Sequence, residues 1–446
     1  VARARESAAR ALRPLVLALS HHRGKLLVLF TWLLLLPLVE PPATAMGTRP
    51  RAVPAAGAQA ISSPEAMLVQ SLMDIQANRL DSALRQIDTL LQVRPNFRLA
   101  HLIKGDLLMA RARPIRTLGD APEVPNPRAA DFRDEARARV LRYLDPAPHD
   151  LIPEYLLQLD GQQTYAVVVD TSRSRLYLYR NDNGEPRYVT DYYISVGKNG
   201  ADKSREGDQR TPLGVYFVVK ELPDAKLPDF YGTGAFPISY PNEWDRRLGR
   251  NGSGIWLHGV PRDTYSRPPR ASSGCIVLSN EDINDIRNYL NIGHTPVIIS
   301  GNVAWVDRKT WRSQRDSLDR ELERWRRDWE SLDVNRYLSH YSPAFANGQQ
   351  DYAAWAAQKR QVSAGKTSVR VALSNVSIFR YPDNADLAVV TFDQDYRSNN
   401  LHNVMRKRQY WLQDHGIWKI VYEGAVAPAA PAAPEYTVMA KKKRLG

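Results

Sequence analysis

Cysteine is nearly absent from this chain: Cys275 is the only one in 446 residues. No intramolecular disulfide can form, so stability must come from burial and hydrogen bonding. The nine histidines are scattered without ligand spacing, and no metal or other cofactor is expected. Long apolar runs are equally scarce. Only Leu26 to Val39 is nearly unbroken, and its 14 residues fall short of the about 20 that a helical bilayer span needs. Acidic residues are outnumbered, 48 against 61 Lys and Arg, for a net charge of +13. Such an excess raises the question of nucleic acid, but zinc-finger spacing, an RNP signature and a recognition helix are all missing, so nucleic acid is not expected. An anionic cell-envelope polymer accounts for the charge equally well. At 43% hydrophobic and 24% charged, the composition is that of a globular protein, and its length calls for two or three domains.

What is present at the N-terminus is a basic flank (Arg3, Arg5, Arg10, Arg13, Arg23, Lys25), the short apolar run and then Ala43-Thr44-Ala45. That order predicts a secretory signal over 1–45, cleaved after Ala45 or retained as a membrane anchor. The bulk of the chain is then exported, to the periplasm or cell envelope, with membrane contact only through this segment. Residues 46–61 read as an Ala/Pro/Gly-rich linker. From 62 to 150 the apolar spacing is helical, with Pro64 at a first-turn position. Within it, Asn78 to Leu84 followed by Pro95, Ala100, Gly105 and Leu108 resembles a tetratricopeptide (TPR-like) hairpin. A plain helical spacer fits this stretch as well as a protein-docking module does. From 160 to 301 short strand-like runs dominate, among them Tyr165–Asp170, Arg175–Tyr179, Gly214–Lys220, Ile255–Gly259, Cys275–Leu278 and Pro296–Ser300. Residues 305–424 return to helix, with Leu318, Leu322, Trp325 and Trp329 on one face. Four strand-like runs follow at 367–381, 386–397, 401–413 and 417–423. Helices followed by a long antiparallel meander resemble the NTF2/SnoaL-like α+β cone. Residues 425–446 read as a disordered basic tail.

Chemistry concentrates in Ile255-Trp256-Leu257-His258-Gly259 and Ser272-Ser273-Gly274-Cys275-Ile276-Val277-Leu278. His258 and Cys275 are seventeen positions apart, too far for one helix face but within reach across adjacent strands. Imidazole beside a thiol makes thiolate near neutral pH. Glycine before the cysteine permits close backbone approach, and the Gly274 and Cys275 N–H groups are candidate oxyanion donors. An inert buried thiol is the competing reading.

An HG pair, a long loop and an S-x-G-C motif, preceded by Thr211-Pro212-Leu213-Gly214, together resemble the YkuD L,D-transpeptidases over about 164–300. The resemblance implies a mainly-β, sandwich-like catalytic domain and a Cys275–His258 dyad with the Gly259 carbonyl as third member. It implies that Cys275 attacks the peptide stems of peptidoglycan, forming a thioester that an amine resolves, from a second stem or an envelope protein. The overall expectation is a multidomain chain: a helical TPR-like segment, a central YkuD-type domain and a C-terminal NTF2-like domain.

Two positions depart from the commonest family pattern, S-H-G-C-x-R: Ser273 stands for His and Val277 for Arg. Arg262, Arg267 and Arg270 are candidates to replace the lost charge, against the alternative of a solvated arginine-rich loop. Ser272, Ser273, Tyr240 and Asn242 are further candidate substrate contacts, although a strand-end turn also explains Tyr240 and Asn242. In the C-terminal domain, Asp393, Asp395 and His402 are candidate polar pocket residues, with exposed strand positions as the alternative. Three function classes stay open: a transpeptidase, a hydrolase of the same fold releasing stems or attached protein, and a non-catalytic wall-binding protein.

Overall fold

The computed structural model describes residues 63–120 and 127–426. The leader expected over 1–45, the linker over 46–61 and all but the first two residues of the 425–446 tail lie outside the described residues. Among the described residues, no helix is long and apolar enough to cross a membrane. The described residues divide into two compact units, one holding those up to Pro146 together with Asp263–Pro269, the other holding Ala147–Arg262 and those from Arg270 onward.

Among the described residues, the first unit holds the helices α1 (Pro64–Gln76), α2 (Leu80–Val93), α3 (Arg98–Met109) and α4 (Pro127–Leu144). Ser63 caps α1, accepting from the Ala66 N–H, and Pro64 occupies the first turn, where its missing N–H costs nothing. The apolar stripe Leu68, Leu72 and Ile75 meets Ile87, Leu90, Phe97 and Ile103 in one core. Segment 263–269 belongs to this core. The Tyr265 ring lies 4.7 Å from that of Phe97, and the Arg139 guanidinium stands over both, at 5.1 Å from Phe97 and 5.8 Å from Tyr265. Ser266 donates to Glu135, which with Glu65 also pairs with Arg139.

The second unit opens with β1 (Leu156–Gln158), β2 (Tyr165–Asp170), β3 (Arg175–Asp182), β4 (Glu185–Tyr193), β5 (Val196–Gly197) and β6 (Gly214–Phe217). It continues with β7 (Leu222–Pro223), β8 (Gly234–Pro237), α5 (Glu243–Arg247), β9 (Trp256–His258), β10 (Arg270–Ser272), β11 (Ile276–Val277), α6 (Asn280–Ile286) and β12 (Pro296–Ser300). A mixed five-stranded sheet, order β4-β3-β2-β12-β6, and a four-stranded sheet, order β11-β9-β8-β7, share one apolar core. Val167, Val169, Leu176 and Leu178 enter it from the first sheet, Phe236, Leu257 and Ile276 from the second, and Ile283 and Ile286 from α6. The period-2 pattern of these strands is what directs one face inward.

Beyond lie α7 (Arg308–Glu330), α8 (Val334–Ser339), α9 (Tyr352–Ala364), β13 (Val369–Tyr381), β14 (Asn384–Ser398), β15 (Leu401–Asp414) and β16 (Ile417–Ala425). The four strands form an antiparallel meander backed by the helices, and β1 joins β13 as a fifth strand. Helix α7 begins at Arg308 because Asp307 caps it by accepting from the Lys309 and Thr310 N–H groups. Trp311, Trp325 and Trp411 are fully buried, so these indoles serve the core. Around them runs a buried polar network. Lys407 Nζ donates to Glu423 at 2.6 Å, and Gln409 and Tyr341 donate to the same carboxylate at 2.8 and 2.7 Å. Burial alone would raise the Glu423 carboxyl, but Lys407 and Lys359 outweigh it and hold it at about 2. Asp395 and His402 pair with each other at 2.9 Å on the surface, Asp395 also binding Arg397, while Asp393 binds Arg406 and Asn375. Asp393 and Asp395 lie on β14 and His402 on the neighbouring β15, apart from the buried Lys407–Glu423 network.

Candidate active site

Strand β9 is the middle of the site. It pairs in parallel with β11 (Leu257 opposite Ile276, His258 opposite Val277) and antiparallel with β8 (His258 opposite Ala235). The seventeen-residue separation in sequence is thereby folded onto neighbouring strands, with His258 at the end of β9 and Cys275 one residue before β11, two positions ahead of His258's partner Val277. His258 is 1% exposed. Its Nδ1 lies 2.7 Å from the Gly259 carbonyl oxygen. A carbonyl can only accept, so Nδ1 donates, and in the neutral ring Nε2 holds the lone pair that a general base needs. The partly buried Cys275 thiol donates to the Gly254 carbonyl at 3.4 Å.

The turn carrying Cys275 is braced from both sides. Ser272 Oγ donates to the Cys275 carbonyl at 2.7 Å and accepts from the Gly274 N–H at 3.1 Å. Thr211, from the Thr-Pro-Leu-Gly stretch, donates to the Gly274 carbonyl at 3.0 Å and accepts from the Gly197 N–H at 2.9 Å. Gly274 sits at φ +125°, and a Cβ there would stand 2.6 Å from the Arg210 carbonyl oxygen, so no other residue fits. Of the two expected oxyanion donors, the Gly274 N–H is engaged by Ser272. Ser273 is exposed.

Two residues not expected at the site from the sequence shape the other side. Asn280, at the start of α6, accepts from the N–H groups of Thr233 and Val260 at 3.1 and 3.2 Å, and donates to the Val260 carbonyl at 2.9 Å. A Cβ on Gly259 would fall 2.3 Å from Asn280 Oδ1, so the glycine after the histidine is demanded by this clamp. Tyr231 accepts at its carbonyl from the Gly259 N–H at 3.0 Å, and its ring meets the His258 imidazole edge-on at 5.1 Å. Burial raises the Tyr231 hydroxyl pKa and neighbouring Cys275 adds to the rise, which keeps the phenol neutral. Only the glycine of His-Gly hinted at Asn280, and nothing local signalled Tyr231.

The structure places the other expected substrate contacts as follows. Tyr240 is buried in the central core, with its hydroxyl donating to the Asn251 carbonyl at 2.9 Å. Asn242 caps α5 and donates to the Val215 carbonyl and the Tyr381 hydroxyl, both at 3.0 Å. Arg262 is held by Asp229 at 2.9 Å and by Asp224. Arg267 falls in the segment that belongs to the helical unit. Arg270 is exposed on β10, and Val277 is buried at 2% exposure, where an arginine head group would have no water.

Comparison with known proteins bears on this arrangement. The family model of YkuD, the L,D-transpeptidase catalytic domain, matches residues 164–299, and that of the Cds6 C-terminal NTF2-like domain matches residues 317–424. The putative L,D-transpeptidase YafK of Escherichia coli K12 is 28% identical over 138 residues, 31% of this chain and 51% of its own. The chain thus spans about half the length of that curated relative. The structure of Bdellovibrio bacteriovorus Bd1075 is 30% identical, with a TM-score of 0.56, over 64% of this chain and 100% of that one. The helical cell shape determining protein Pgp2 from Campylobacter jejuni shares the fold at 24% identity and a TM-score of 0.51, over 60% of this chain and 95% of that one. With the whole Bdellovibrio chain matched and both domain models falling in order along the sequence, this chain belongs to the YkuD-type L,D-transpeptidases that carry a C-terminal NTF2-like domain.

Proposed function

We propose that the protein is a cysteine-dependent L,D-transpeptidase acting on peptidoglycan peptide stems in the cell envelope. The observation that carries this reading is the 2.7 Å contact from His258 Nδ1 to the Gly259 carbonyl, on the strand paired to the one that Cys275 precedes. It orients Nε2 as the basic nitrogen. In the proposed reaction, His258 takes the Cys275 proton and the thiolate attacks the carbonyl of the third stem residue, meso-diaminopimelate. The Cys275 N–H stabilises the oxyanion. Collapse breaks the amide C–N bond; D-Ala leaves with the proton returned by His258, and a thioester remains. An amine of a second stem or of an envelope protein then attacks the thioester and releases the thiol.

A hydrolytic variant, in which water resolves the thioester and frees a stem or an attached protein, is favoured by one feature. The family's usual arginine is Val277 here, in the core. The helical unit, read as TPR-like, and the NTF2-like domain are then docking modules for wall or protein.

Intact-mass analysis with a disaccharide tetrapeptide, with and without an amine-bearing second stem, tests the proposal. A thioester adduct on the parent chain that converts to cross-linked dimer, and no adduct on Cys275→Ala, is the expected result. Tripeptide without dimer supports the hydrolase; no adduct and no turnover removes the catalytic reading.

A further inference from the structure

The stems that such an enzyme would handle carry free carboxylates, and the arginine that commonly stands two residues after the cysteine is missing. Loop 198–211 borders the Cys275 turn: the Arg210 carbonyl packs on Gly274, Thr211 bonds the Gly274 carbonyl, and the Lys198 N–H donates to the Ser272 carbonyl at 2.8 Å. The loop encloses an open polar cleft of about 580 Å³, whose lining includes Asp202, Arg205, Asp208 and Arg210.

Its charges are unevenly matched. Asp208 is buried against Lys203 at 2.8 Å and accepts from the N–H groups of Ser204, Arg205 and Arg210. Lys203 and three backbone N–H groups therefore spend the Asp208 carboxylate inside the fold. Asp202 pairs with Arg250 at 2.9 Å, which also reaches the buried Asp245 at 3.5 Å. Arg205 and Arg210 are exposed, and among the described residues neither has an acidic partner; Arg210 spends one N–H on the Ala201 carbonyl at 3.2 Å. The acids of the cleft are neutralised from within and the two guanidinium groups are not.

We propose that this cleft is the carboxylate subsite of the acyl donor, with Arg205 and Arg210 supplying the charge that Val277 lacks, an inference that rests on the acyl-transfer reading above. The chemical class it takes is a peptide bearing a free carboxylate beside the scissile amide. Guanidinium suits that group because its N–H fork matches a carboxylate, and the rigid Lys203–Asp208 turn fixes the backbone from which both side chains project.

The test uses the full chain, in which Cys275 is the only thiol. Alkylation by iodoacetate, an anion, is compared with alkylation by neutral iodoacetamide. In the Arg205→Ala/Arg210→Ala variant the iodoacetate-to-iodoacetamide rate ratio falls about threefold to tenfold, more at low salt, and the Lys/Lys variant restores it. In parallel, KM for a tetrapeptide donor rises roughly tenfold, while a donor with amidated carboxylates discriminates little between parent and variant. A ratio and a KM both within twofold of the parent overturn the subsite. If the parent itself is acylated by no stem, the acyl-transfer reading fails, and the alkylation ratio still decides whether the two arginines bring anions to Cys275.

Discussion

At the level of single residues, the site depends on side chains that fix backbone as much as on the two that would react. Asn280 is the clearest case, since one amide group ties Val260, next after the His-Gly pair, to Thr233 at the entry to β8. Asn280→Ala leaves the Thr233 and Val260 N–H groups without that acceptor, and about 2–4 kcal/mol of stability is expected to go with it. The Gly259 carbonyl then loses its fixed place and kcat falls more than KM rises. Urea unfolding beside steady-state kinetics checks both, and an unchanged kcat would remove Asn280 from the site's support. Cys275, His258 and Gly259 stood out in the sequence as candidates because each lies in one of two short motifs. Asn280 and Tyr231 did not, because their partners come from other strands and loops, and an asparagine at a helix start or a tyrosine near a turn is unremarkable locally. Tyr240 and Asn242 were open to two readings, pocket lining or a strand-end turn, and their hydrogen bonds within the fold accord with the turn.

At the level of elements, alternation announced the strands well. The run expected at 401–413 is Leu401–Asp414 and that at 417–423 is Ile417–Ala425. Pairing was less legible. Leu156–Gln158 is too short to carry a pattern, and it joins β13 across more than two hundred residues. The interior of the NTF2-like sheet hid its charges for a related reason: Lys407 and Glu423 occupy strand positions where alternation says buried and residue type says exposed. Their pairing makes a pH prediction. Glu423 titrates at about 2 when folded and near 4 when unfolded, so the unfolded chain binds more protons in that window. Its contribution is intact above roughly pH 4 and is lost as pH falls toward 2. Urea unfolding as a function of pH should therefore show a Glu423→Gln variant that is less stable at neutrality, by about 3–5 kcal/mol, but flatter in acid. Equal acid sensitivity in the variant and the parent would contradict the assignment.

At the level of the whole molecule, the central and C-terminal domains are not beads on a string. Tyr177, Val215, Phe379 and Tyr410 share one apolar cluster, and Arg408 reaches Glu243 at 3.1 Å. One cooperative unfolding transition is expected for this unit, observable by calorimetry. The helical unit differs, because it owns residues 263–269 as well as the N-terminal helices. A fragment beginning at Ala147 keeps those seven residues but loses Phe97, Glu135 and Arg139, around which Tyr265 and Ser266 pack. Limited proteolysis should then cut that fragment within 263–269 and spare the same stretch in the longer chain. Equal resistance in both would show that the segment holds its shape without the helices.

That shared ownership has a consequence for descent. The stretch between the histidine and cysteine motifs and the helices far upstream are parts of one hydrophobic core, so neither can drift alone. A recombination event that traded the helices for another module would leave seven orphaned residues between the two halves of the active site. The helices and the loop are accordingly expected to be inherited together or replaced together, even though 118 residues of chain lie between the end of α4 and Asp263.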